Sequence, residues 1–138
     1  MGSRRRAREA ALQMLYQMDL TNIPPKAAIR LYWSSIGEPA PDEIHEFADQ
    51  LVIGCSEKRE VIDEAIRSVS QNWRLERMAC VDRNIIRLAV YELLMLSDIP
   101  RNVTLNEAVE LAKLFGDESS PSFINGVLDR IAFNLGKE

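Results

Sequence analysis

The chain has 138 residues, 46% of them apolar, with two cysteines, one histidine and a formal charge of −4. That length supports a single domain with its own core. Large aliphatic residues spread from Leu12 to Leu135 argue against disorder, and no apolar segment reaches the length of a membrane span. With 24 residues between Cys55 and Cys80 and a lone His45, no disulfide framework, metal site or cofactor is expected, and the thiols read as reduced, buried groups of a cytoplasmic protein.

Residues 1–9 carry four arginines against one glutamate, a local +3 that leaves −7 on the remainder, so any use of the positive field is local too. A secretory signal would continue into an unbroken apolar run, whereas in "SRRRAREAALQMLYQMDL" Gln13, Gln17 and Asp19 recur at helical spacing. Glu9 interrupts what would otherwise resemble an organellar transit peptide, so the segment is read as part of the fold. It predicts a first helix from Ser3, a usable N-cap, to Leu20.

Asn22 to Pro24 then form a turn, and Pro25, favoured in a first helical turn, opens a second helix ending near Gly37. Pro41 opens a third, with Asp42 and Glu43 where acids suit the helix dipole and Ile44, Phe47, Ala48, Leu51, Val52 and Cys55 on one face. The stripe resumes after Gly54 as Val61, Ile62, Ala65, Ile66, Val69 and Trp73, in a fourth helix that either continues the third or leaves it at a kink. From Val81 to Leu96 the chain is apolar nearly all round, as a helix surrounded by others would be. Pro100 ends it; Thr104 and Glu107 have capping-box spacing and Gly116 sits where a C-terminal cap belongs. The last helix has Ser120 as N-cap and Pro121 first, buries Phe123, Ile124, Val127, Leu128 and Ile131, and contains Gly126, a sign of close backbone approach. Periods near 3.6 with no sustained alternation make the chain all-α.

Turning each residue of the first helix by about 100° groups Ala7, Ala10, Ala11, Met14, Leu15 and Met18 on a core face. Arg5, Arg8, Glu9, Gln13, Leu12 and Tyr16 fall opposite, so an aromatic ring lies among arginines and amides. Guanidinium, ring and amide together are the chemistry of single-stranded RNA binding: phosphate contact, stacking and base-edge hydrogen bonding. Leu12 and Tyr16 packing against another helix, with the arginines as a solvated end, is the competing reading. Arginines in a first turn oppose the helix dipole and repel one another, which costs stability unless an anion binds.

The blocks "RRRAREAALQMLYQMD", "IIRLAVYELLMLSDIP", "NEAVELAKLFG" and "FINGVLD" resemble, in that order, the NusB family of bacterial transcription antitermination proteins, from Arg4 to about Ile131. Between Thr21 and Ala79 the likeness is in length and helical pattern only. The resemblance implies one domain over 1–138 of about seven helices in two small bundles, approximately 1–79 and 80–138. It also implies no catalysis and a heterodimer with the ribosomal protein NusE that binds the boxA element of nascent RNA in the transcription elongation complex. It places RNA contacts on the arginine run Arg4, Arg5, Arg6 and Arg8, with Gln13 and Tyr16, and on Phe115, Gly116, Glu118 and Phe123 between the last two helices. Glu118 is a specificity candidate, since a carboxylate accepts a hydrogen bond from a base amino group. Phe115 and Phe123 also read as the apolar ends of two core helices. The resemblance further implies NusE contacts at Asp82, Arg83 and Glu92, the first two being the accessible charges of "VDRN", although Asp82 could equally cap its helix.

An enzyme finds little support: His45 stands alone on an amphipathic helix as a surface or boundary residue, without a metal-ligand cluster or glycine-rich phosphate loop. A protein adaptor whose arginines bind an acidic protein surface is the rival of another class. A homodimer covering the arginine helix also stays open.

Overall fold

A computed structural model of the protein describes residues 2–36, 40–70 and 74–137. Among these it contains seven α-helices and no strand. The chain divides into two compact units, Met1–Glu57 and Lys58–Glu138.

In the first unit, α1 (Ser3–Thr21) packs on α2 (Pro25–Ser35) and α3 (Asp42–Glu57). Ala7, Ala10, Ala11, Met14 and Leu15 are buried as the angular grouping requires, and Met18 is half-buried. Ser3 does not cap α1: Gly2 holds that position, and the Ser3 hydroxyl donates to Glu43 Oε1 of α3 at 2.6 Å. The helix stops at Asn22, whose left-handed backbone (φ 59°) returns its N–H to the Met18 carbonyl. The end of α2 expected near Gly37 comes at Ser35, and Gly37 lies outside the described residues. All six residues of the predicted α3 stripe are buried.

The second unit starts with α4 (Arg59–Val69), followed by a single 3-10 turn at Leu75–Arg77, α5 (Cys80–Met95), α6 (Arg101–Phe115) and α7 (Ser120–Asn134). The alternative left open after Gly54 resolves as an interruption at Lys58. The expected boundary near residue 79 moves to this point because α4 packs on α5 and α7. Ile62 and Ile66 are fully buried, whereas Val61 is exposed and Trp73 lies outside the described residues. The buried Asp63 carboxylate of α4 also accepts from Arg87 Nε of α5 at 2.9 Å. As expected, α5 is central, packing on α4, α6 and α7.

Three local expectations fail. α6 begins three residues before Thr104, because the Pro100 carbonyl accepts from the Val103 and Thr104 amides and so starts the helix. Thr104, instead of capping, is buried and donates its hydroxyl to Glu92 Oε1 at 3.1 Å. Ser119 rather than Ser120 precedes α7. Gly126 is exposed, and a β-carbon there would meet nothing within 4 Å.

Candidate nucleic-acid interface

The first unit sorts the arginines of α1 by depth. Arg4 and Arg6 are exposed and Arg5 is half-buried, but Arg8 is only 4% exposed. The guanidinium carbons of Arg4 and Arg8 lie 4.3 Å and 5.7 Å from the Phe47 ring centroid of α3, within cation–π range. Arg8 is therefore an interior residue of the fold. Its expected part in phosphate contact is corrected accordingly: helical phase puts it on the outer sector, but tertiary packing encloses it.

Leu12 is buried as well, which answers half of the competing reading. Its neighbour in that reading, Tyr16, keeps 36% of its surface in water. Gln13 is exposed, with its amide only loosely held by the Glu9 carbonyl at 3.4 Å. Arg5, Arg6, Gln13 and Tyr16 fall within a sector of about 100° on α1, and together they combine positive charge, an exposed amide and an aromatic ring on the outer side of one helix, while Arg4 lies over Phe47. Phosphate, base edge and base plane each have a matching group there.

Behind α1, α2 and α3 are tied by a small aromatic cluster. Asp49 accepts from Trp33 Nε1 at 2.9 Å with one oxygen and lies 2.9 Å from His45 Nδ1 with the other. The imidazole stacks on Trp33 at 4.3 Å between centroids, and Tyr32 sets its ring edge-on to Trp33 at 5.0 Å. His45 is engaged in holding two helices together. Among the described residues no group of His, Cys, Asp or Glu could hold a metal ion.

The second group of candidates is gathered at the corner between α6 and α7. Gly116 ends α6 with an extended backbone and its N–H on the Ala112 carbonyl. A β-carbon at this glycine would lie 2.5 Å from Ser120 Oγ, 2.6 Å from Ser120 Cβ and 2.9 Å from the Ala112 oxygen. Glycine is required here for space, since its φ of −93° is open to any residue.

Asp117, which the sequence reading missed, organises the corner. Its Oδ1 accepts from the Ser119 hydroxyl (2.8 Å) and amide (2.9 Å), and from the Ser120 amide (3.2 Å) and hydroxyl (3.3 Å). The donors of Ser119 hold its carboxyl below the usual value of 3.8, with those of Ser120 adding to the effect. An aspartate two residues before a serine is an Asx-turn signal that could have found it. Around this knot Phe115 and Glu118 are exposed and Phe123 is half-buried.

Of the partner-contact residues expected on α5, Asp82 and Glu92 are buried and Arg83 is half-buried. Asp82 is 8% exposed, and among the described residues its Oδ1 is buried without a hydrogen-bond partner. It does not cap α5, which starts from Ala79 without a side-chain cap. Glu92 is 2% exposed and receives the Thr104 hydroxyl. Arg83 donates to the carbonyls of Leu75 and Met78 at 3.2 and 3.1 Å, which fastens the 3-10 turn to α5. Burial of Asp82 and Glu92 follows from the position of α5 among three helices.

Among the described residues no helix is long and apolar enough to cross a membrane. The model of the NusB family matches residues 5–133. A transcription antitermination protein NusB of Sorangium cellulosum (strain So ce56) is 49% identical over 137 residues, 99% of this chain and 96% of its own. Another from Bacillus cereus (strain Q1) is 53% identical over 133 residues, 96% of this chain and 98% of its own. Among solved structures, NusB of T. maritima superposes with a TM-score of 0.85 at 36% identity, covering 96% of this chain and 92% of that one. A crystal structure of antitermination factors NusB and NusE in complex with dsRNA gives 0.87 at 30% identity, covering 97% and 98%. Matched along nearly its whole length in sequence and in fold, this chain belongs to the NusB family.

Proposed function

We propose that the chain is a transcription antitermination factor that binds single-stranded, boxA-like RNA jointly with NusE. It then serves the transcription elongation complex on ribosomal RNA operons in the cytoplasm. As a member of the NusB family it is an RNA-binding adaptor, not an enzyme. The observation that carries the reading is the outer face of α1, where Arg5, Arg6, Gln13 and Tyr16 offer charge, amide and ring. Support comes from relatives named as antitermination proteins and from the solved neighbour that holds NusB with NusE and RNA.

Roles divide by chemistry. Arg4, Arg5 and Arg6 supply phosphate contacts, which give affinity without sequence preference. Tyr16 supplies a stacking face and Gln13 a donor and acceptor for a base edge. Phe115 and Phe123 add apolar faces at the α6–α7 corner, Gly116 lets that corner close, and Glu118 accepts from a base amino group.

Fluorescence anisotropy of a boxA-like RNA and a scrambled RNA of equal length, with and without NusE, tests the reading. Preference for the boxA-like RNA, strengthened by NusE, is expected. Equal or absent binding of both RNAs in every condition would move the function to an adaptor whose arginines hold an acidic protein surface.

A further inference from the structure

We propose that Tyr32 of α2 is a further base-stacking residue of the RNA interface, working beside Arg6 of α1, which takes the adjoining phosphate. This inference rests on the reading of the chain as an RNA-binding factor and extends its contact surface from one helix to two.

The placement starts from helical phase. Arg6, Glu9 and Gln13 fall within a sector of about 60° on α1, and α2 packs directly against that helix. Burial, then the Glu9 carboxylate, raise the Tyr32 phenol above its ordinary value, while Arg6 pulls it the other way. On α2, Tyr32 follows the buried Ala28 by one turn and so stands on the side of the helix that packs on its neighbours. Arg6 is exposed and Tyr32 is half-buried, neither being enclosed in the core.

The ring is also held in place. Trp33 meets it edge-on at 5.0 Å and 85°, and Trp33 is itself locked by Asp49 at 2.9 Å and by the stacked His45. A braced aromatic loses little freedom when a base settles on it. The neighbouring groups decide the class of ligand: a cation, an aromatic ring, an amide and a carboxylate stand together. A nucleotide uses every group, with its phosphate on Arg6, its base on Tyr32 and its amino or carbonyl edge on Glu9 and Gln13.

The test is equilibrium binding of the protein with NusE to a boxA-like RNA and to a series of that RNA carrying one abasic nucleotide at a time. Tyr32→Phe keeps the ring and is expected to bind within about twofold of wild type. Tyr32→Leu removes it and is expected to bind about tenfold more weakly, in the range of one lost stack. One abasic position should weaken wild type by a similar factor and leave Tyr32→Leu unaffected, a coupling that a purely structural role would not produce. Unchanged binding by Tyr32→Leu, or a loss equal across the whole abasic series, overturns the proposal while leaving the RNA reading intact. Absence of any boxA preference in wild type overturns both. If Tyr32→Leu does not fold, crosslinking of wild type to 4-thiouridine-substituted RNA decides: an adduct on Tyr32 is expected, and adducts confined to α1 and the α6–α7 corner refute it.

Discussion

Asp63 and Arg87 form a two-pronged ion pair withdrawn from water. Arg87 Nε reaches Oδ1 at 2.9 Å and Nη2 reaches Oδ2 at 3.2 Å, with side-chain exposures of 7% for the arginine and 10% for the aspartate. Arg59 adds a third donor to Oδ2 at 3.0 Å from a half-exposed side chain. The pair joins α4 to α5 inside the second unit. Removing one partner leaves the other charge buried and uncompensated, so Asp63→Asn should cost about 3–5 kcal/mol in urea unfolding. Arg59→Ala should cost less than about 1 kcal/mol, as expected for a bridge with one solvated end. Equal costs for the two would show that burial does not set the strength of this cluster.

The depth of the arginines predicts two kinds of variant. Arg4→Ala and Arg6→Ala should each flatten the salt dependence of RNA binding by up to about 0.7 in the log–log slope; Arg6→Ala should leave the melting temperature unchanged, while Arg4→Ala should lower stability by at most about 1 kcal/mol through its contact with Phe47. Arg8→Ala should do the reverse. It should leave the slope unchanged and lower stability by about 1–3 kcal/mol through the loss of its packing at Phe47. Titrations at several salt concentrations, paired with thermal melts, separate the two behaviours.

Gly116→Ala brings a methyl group onto Ser120 and the Ala112 carbonyl. Backbone at the corner must shift, at a cost of about 1–3 kcal/mol, and the shift disturbs Phe115, Glu118 and Phe123 together. A variant with both wild-type stability and wild-type RNA affinity would contradict the crowding described at this residue.

The lowered carboxyl of Asp117 gives a pH dependence of fixed sign. Its folded value lies below the ordinary 3.8, so its contribution to stability is present above that value and disappears as the pH falls through the folded one. Asp117→Ala should therefore be less stable than wild type at neutral pH, and the gap should begin to narrow as the pH falls below about 4. Urea midpoints across pH 3–7 provide the measurement. A gap that persists unchanged into acid would assign the effect to the Ala substitution itself.

Periodicity made much of the fold legible. The stripe from Ile44 to Cys55 and the alanine face of α1 are buried as their spacing required, since amphipathic helices carry their burial pattern locally. Charged residues with remote partners were the difficulty. Nothing local marks Asp63 for Arg87, 24 positions away, or Thr104 for Glu92, 12 positions away. Thr104 even has the spacing of a cap, but Pro100 starts the helix earlier and frees the hydroxyl for the interior. Grouping by angle brought Arg5, Arg8, Gln13 and Tyr16 together on α1, yet a helical wheel has no depth, and it could not foresee that Arg8 turns inward. At Asp117 the Asx-turn spacing to Ser119 is legible, but the convergence of two backbone amides and two hydroxyls on one oxygen arises only in the folded corner.

Asn22 gives the order of the arginines a meaning that their number does not have. Its left-handed backbone ends α1 at one residue, so every side chain upstream is dialled to a compass bearing counted back from that stop. Deleting one uncharged residue between Arg8 and Asn22 would preserve all four arginines and the net charge. It would also swing them by more than a quarter turn, carrying Arg6 away from Tyr32. The same swing would carry Ala7 out of the core, so the bearing of the arginines and the packing of α1 are set by one stop.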